Sequence, residues 1–163
     1  MIARDKAAYH SKEAWYALHR LAVRWLAVMS PERVDLITKS FDELWPLRRN
    51  LAATFYTRFF ENAPDAQRLF PADMEKQYLK LMDTITAIVG GLKDRSLFES
   101  IISHTARQHA RFGVTSSQLA AFGDALIWGL EQHFGSAFTP EMRHAWIELY
   151  EDVQAQMIRH CES

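Results

Sequence analysis

Apolar residues recur at spacings of three and four along most of the chain, and helix start signals precede each such stretch. Ser30-Pro31-Glu32 and Thr139-Pro140-Glu141 each place a capping hydroxyl before a proline at the first helical position. Ser96-Leu97-Phe98-Glu99 and Thr115-Ser116-Ser117-Gln118 each read as a capping box. Breaks fall at Trp45-Pro46, Asn62-Ala63-Pro64, Pro71 to Asp73, Gly90-Gly91 and Gly113. The pattern predicts helices over 11–28, 31–44, 47–61, 73–90, 96–110, 116–134 and 140–160, with a short helical turn at 65–70. No Asn-Gly or Asp-Gly joins alternating apolar runs, so strand signals are absent. The fold class is all-α, seven or eight helices of unequal length around one core, an architecture that often holds a cofactor between helices.

Composition narrows the function more than the fold. The 163 residues make one ordinary domain, 48% apolar and 24% charged, which argues against disorder. Nineteen Lys and Arg against 20 Asp and Glu give a formal charge of −1, so no bulk attraction to nucleic acid or anionic lipid is expected. The single cysteine, Cys161, excludes an internal disulfide and a cysteine-based metal site, and fits a reducing compartment. No stretch reaches the roughly 18 uncharged apolar residues of a membrane span. The apolar run Trp15 to Met29 is broken by His19, Arg20 and Arg24, unlike a secretory signal, so a cytoplasmic location is expected.

Several chemistries are missing. There is no Gly-rich phosphate loop, no His-Glu-x-x-His and no Gly-x-Ser-x-Gly elbow. His104 and His109 share one predicted helix but stand about 140° apart at about 100° per residue, so they cannot ligate one ion together. Ten Phe, five Tyr and five Trp exceed what a plain Leu/Ala bundle requires, although aromatics at helical spacing are most often core packing.

Four segments, taken in order, carry a resemblance. They are Phe55-Tyr56-Thr57-Arg58-Phe59-Phe60-Glu61-Asn62-Ala63-Pro64, then Leu69-Phe70-Pro71, then Gln77-Tyr78-Leu79-Lys80-Leu81, and Gln108-His109-Ala110-Arg111-Phe112-Gly113-Val114. Together they resemble a globin, and look most like bacterial single-domain globins and the haem domain of flavohaemoglobins, from about Ser30 to Arg159. The resemblance divides the chain into an N-terminal helical extension, 1–29, and a globin domain, 30–163.

The resemblance implies haem b, with His109 as the iron ligand; Phe112 and Val114 border it as apolar groups suited to a porphyrin face. His104 is the rival ligand and fits less well, the Phe-Gly-Val corner lying farther from it. Tyr56 and Gln77 match the distal pair, whose hydroxyl and amide can hydrogen-bond a polar gas ligand. Leu81 and Phe122 would complete the apolar roof, Phe70 matches the corner residue that stacks on the porphyrin, and Lys80 could reach a propionate. Trp146 and Tyr150 are read as packing.

Two departures from flavohaemoglobins stand out. Leu119 fills the place of a Tyr after the proximal helix, and the chain is nearly exhausted where a Glu of the last helix would help to polarise the histidine. The flavin and NAD domains are also absent from these 163 residues, so a separate reductase is expected. The implied function is reversible binding of O2, and of NO or CO, with NO dioxygenation (nitric oxide detoxification) where a reductase is supplied; the alternative is a gas sensor signalling through the N-terminal helix. Trp15, Leu18, Ala22, Trp25 and Met29 recur at helical-seam spacing. They predict either a homodimer through that helix or its folding back onto the globin.

Overall fold

The structure, a computed structural model, describes residues 30–161. The N-terminal extension, with its expected helix and dimer seam, lies outside them. Six α-helices follow one another: α1 (Pro31–Leu44), α2 (Arg48–Asn62), α3 (Glu75–Gly91), α4 (Arg95–Ala110), α5 (Ser116–Phe134) and α6 (Pro140–Cys161). Single 3₁₀ segments at Trp45–Leu47, Pro64–Leu69 and Gly135–Ala137 join them, and no strand occurs among the described residues. The short turn expected at 65–70 is the second of these segments.

The start signals act as their chemistry predicts, with one exception. The Ser30 hydroxyl accepts from the Arg33 N–H at 3.4 Å, and the Thr139 hydroxyl from the Met142 N–H at 3.2 Å. Thr115 and Gln118 form both bonds of a capping box, at 3.0 and 3.2 Å. The box expected at Ser96 does not form. Asp94 caps α4 instead, accepting from the Leu97 N–H at 3.1 Å, and Glu99 pairs with Arg95 at 2.8 Å. A carboxylate two residues earlier answers both the free N–H groups and the positive end of the helix dipole. Gly113 and Gly135 stop α4 and α5 with φ of +63° and +53°, a backbone conformation that side-chain-bearing residues rarely adopt.

α2 packs along α5, α4 along α6, and α1 and α5 also against α6, while α3 contacts both α2 and α4. The inward face of α1 shows the rule behind this: Val34, Ile37, Phe41 and Leu44, three or four apart, are all buried. Where α1 meets α6, the buried Trp146 indole donates to Ser40 Oγ at 3.0 Å, and Ser40 Oγ donates on to the Ile37 carbonyl at 3.0 Å. The indole N–H and the hydroxyl buried in that seam are therefore both satisfied. At its edge Arg33 pairs with Glu148 at 2.5 Å. No described helix is long and apolar enough to cross a membrane.

Candidate functional site

α2 and α3 bring Tyr56 and Gln77 together across 21 residues of sequence. Tyr56 is only 4% exposed, and the Gln77 amide nitrogen donates to its phenolic oxygen at 3.0 Å. Burial pushes the Tyr56 hydroxyl up to about 12, against a smaller opposite pull from Gln77, so the phenol keeps its proton at neutral pH. Because Gln77 occupies the oxygen as a donor, the Tyr56 O–H remains available to donate elsewhere.

Aromatic rings fix that phenol. Phe70 meets it edge-on at 5.4 Å and Tyr78 stacks on it at 5.8 Å, with Phe60 at 5.6 Å. Phe55 and Phe59, on the same helix, carry the cluster to Phe122 of α5 at 4.5 and 5.8 Å. Phe122 stacks in turn on Tyr150, 5.7 Å away. Gly123 makes room there, since a Cβ on it would fall 2.5 Å from Tyr150 Cδ1. The buried Tyr150 hydroxyl donates to the Leu119 carbonyl at 2.5 Å, so Trp146 and Tyr150 are packing residues whose polar tips are satisfied. Leu81, one turn beyond Gln77, is 6% exposed.

His109 stands in the last turn of α4, half-buried. Its Nδ1 pairs with the Thr105 carbonyl at 2.8 Å, one helical turn back. That bond places the proton on Nδ1 and leaves the Nε2 lone pair for a metal. His104 is exposed on the other face of the helix. No cluster of three or more metal-ligating side chains occurs among the described residues. The residue chemistry fits a haem: an imidazole with a free ring nitrogen on α4, and a buried donor pair among aromatic rings on α2 and α3.

The other expected residues divide. Phe70, Val114 and Phe122 are half-buried and pack on the core. Lys80 is exposed, as a group reaching for a propionate must be. Phe112 is 62% exposed and stands outside the packed core. The sequence pattern assigns no role to Tyr78, although it follows Gln77 directly, nor to Phe55, Phe59 and Phe60, which lie within four residues of Tyr56. It also misses the Thr105 carbonyl, for which no sequence signal exists because every residue carries one.

Comparison with known proteins gives the class. The globin family profile matches residues 53–157. The chain belongs to the globin family. It is similar to neuroglobin of Tetraodon nigroviridis, 27% identical over 145 residues that cover 80% of this chain and 91% of that protein. Neuroglobin of Chaenocephalus aceratus is 27% identical over 143 residues, 79% and 90% of the two chains, and that of Danio rerio 26% over 145, 80% and 91%. These relatives are vertebrate neuroglobins and not flavohaemoglobins, so the expected family stands while the expected bacterial subclass does not follow from them. The family implies haem binding and diatomic gas ligands.

Proposed function

We propose that this globin binds haem b through His109 and holds O2 reversibly under the Tyr56 hydroxyl. Haem supplies an iron at which O2, NO or CO binds; the chain supplies everything that discriminates among them. The Tyr56 hydroxyl would donate a hydrogen bond to whichever ligand carries negative charge, Gln77 would orient the phenol, and Phe70, Leu81 and Phe122 would exclude water. The observation that carries this reading is the 3.0 Å bond from the Gln77 amide to Tyr56, which leaves the phenolic proton as the donor. That pair is also what supports the likeness to bacterial single-domain globins.

Reversible binding is favoured over O–O cleavage because the His109 Nδ1–H meets a neutral carbonyl, where an electron-rich proximal ligand would need a carboxylate. NO dioxygenation would use the same distal pair, with a separate reductase returning the iron to the ferrous state. The test is to load the purified protein with haem, reduce it and expose it to O2. A Soret band that shifts reversibly on oxygenation supports the proposal; a chain that takes up no haem, or oxidises at once without a stable oxygenated form, defeats it.

A further inference from the structure

Gln118 does more than cap α5. Its side chain is 6% exposed and both ends are used: Oε1 accepts from the Thr115 N–H at 3.0 Å, and Nε2 donates to Asp65 Oδ2 at 2.8 Å, across 53 residues of sequence. Asp65 lies in the first turn of the Pro64–Leu69 segment, which leads directly into Phe70, and the Arg68 side chain closes that segment by donating to the Asp65 carbonyl at 3.2 Å. Thr115 ends the corner that begins at Gly113, four residues after His109.

We infer that Gln118 is a positioning residue for the haem site, a strut that holds the corner behind His109 at a fixed distance from the turn that delivers Phe70. The inference rests on the haem-binding reading above. The reasoning is one of constraint. His109 and Phe70 are on separate segments, α4 and the turn after α2, and each must be held in register for both to meet one rigid planar group. Packing alone registers helices through apolar faces, but corners and 3₁₀ turns carry few such faces and are the parts of a fold that open most readily. A buried amide bonded to a carboxylate at one end and a backbone N–H at the other removes that freedom at low cost, because a hydrogen bond to a charged group is stronger than a neutral one. A glutamine needed only as a cap would not have to be buried against an acidic side chain, since the capping bonds are local.

The design of the strut allows a test that separates it from simple capping. In Gln118→Glu the carboxylate still accepts from the Thr115 N–H, so the cap is kept, but two carboxylates now face each other and the link to Asp65 is lost. In the double variant Gln118→Glu/Asp65→Asn the amide and the carboxylate have changed places, total charge matches the parent, and the Asn amide donates to the Glu. Asp65→Asn alone keeps the link, because the Asn carbonyl accepts from Gln118.

Two readouts are taken on the full-length protein: the rate of haem loss to an excess of an apoprotein acceptor, and amide hydrogen exchange of segments 64–70 and 111–115. Gln118→Glu is expected to lose haem about tenfold faster, the factor that 1.4 kcal/mol of lost interaction represents, and to exchange faster in both segments. The swapped pair, which keeps one amide and one carboxylate, is expected to return to within about twofold of the parent in both readouts, and Asp65→Asn, which keeps only a neutral bond, to fall between the parent and Gln118→Glu. Loosening confined to 111–115, a Gln118→Glu variant that matches the parent, or a swap no better than Gln118→Glu would each overturn the strut. If the parent takes up no haem, the proposed function fails, and the exchange pattern still decides whether the strut exists.

Discussion

On the α2–α3 side of the site, Tyr56 and Gln77 meet side chain to side chain at 3.0 Å inside a ring of aromatics; on the α4 side, His109 is steadied by a backbone carbonyl of its own helix at 2.8 Å. The first arrangement depends on the identity of two residues 21 apart, and on two helices staying in register. The second depends only on α4 being a helix, since the carbonyl four residues back is always there. On the proposed reading, ligand discrimination would rest on two particular side chains, while the proximal anchor would be fixed by geometry that substitution at its partner barely touches.

The largest effect is expected from removing the distal donor. For a bond worth a net ~1–3 kcal/mol, Tyr56→Phe should speed O2 release roughly 5- to 150-fold and CO release far less, because bound CO carries little negative charge. Flash photolysis on both ligands checks it, since a purely steric opening would accelerate them alike. Gln77→Leu should act in the same direction by a smaller factor, roughly 2- to 10-fold, because its amide donates to the phenol and not to the ligand.

Alkaline titration probes the same phenol. Its folded-state value is raised from 10.0 to about 12, chiefly by burial. The stability contributed by the neutral hydroxyl should thus be intact below pH 10 and lost as the pH climbs through about 12. Phenolate absorbance followed beside helical content should show Tyr56 ionising only as the fold gives way, a late ionisation missing from Tyr56→Phe. On the proximal side, Thr105→Val should leave the iron–histidine stretching frequency unchanged, because the acceptor is the backbone carbonyl. Peroxide turnover should stay well below that of dedicated haem peroxidases, and a comparable rate would mean that an acidic group supports His109 after all.

How much of this is legible in the sequence follows from the range of each interaction. Thr115 with Gln118, Ser30 with Arg33, and Thr139 with Met142 are bonds within one turn, and the residue types alone announce them. Asp94 is masked in the sequence because Ser96 and Glu99 offer a competing box at nearly the same place; the carboxylate prevails by charge and position. Tyr56, Gln77 and Phe70 are legible through family resemblance, but their contacts are not, since the angle between α2 and α3 is set by packing of the whole core. The same holds for Tyr78, whose stacking on Tyr56 needs that angle, and for the Gln118 to Asp65 bond, which spans 53 residues. Phe112, expected as a pocket wall, stands largely exposed beside Gly113, and its part in the site rests on the resemblance alone.

The central claim, that His109 Nε2 is the group that holds the iron, is tested most directly by His109→Gly with and without added imidazole. The parent should take up one haem per chain and show an iron–histidine stretch in its reduced form. His109→Gly should lose that vibration and most of its haem, by more than the roughly 10- to 100-fold that loss of an outer hydrogen-bond partner costs, and free imidazole entering the vacated place should restore both. A His109→Gly protein that keeps the parent's spectrum and haem, or a His104→Ala protein that loses them, would contradict the account.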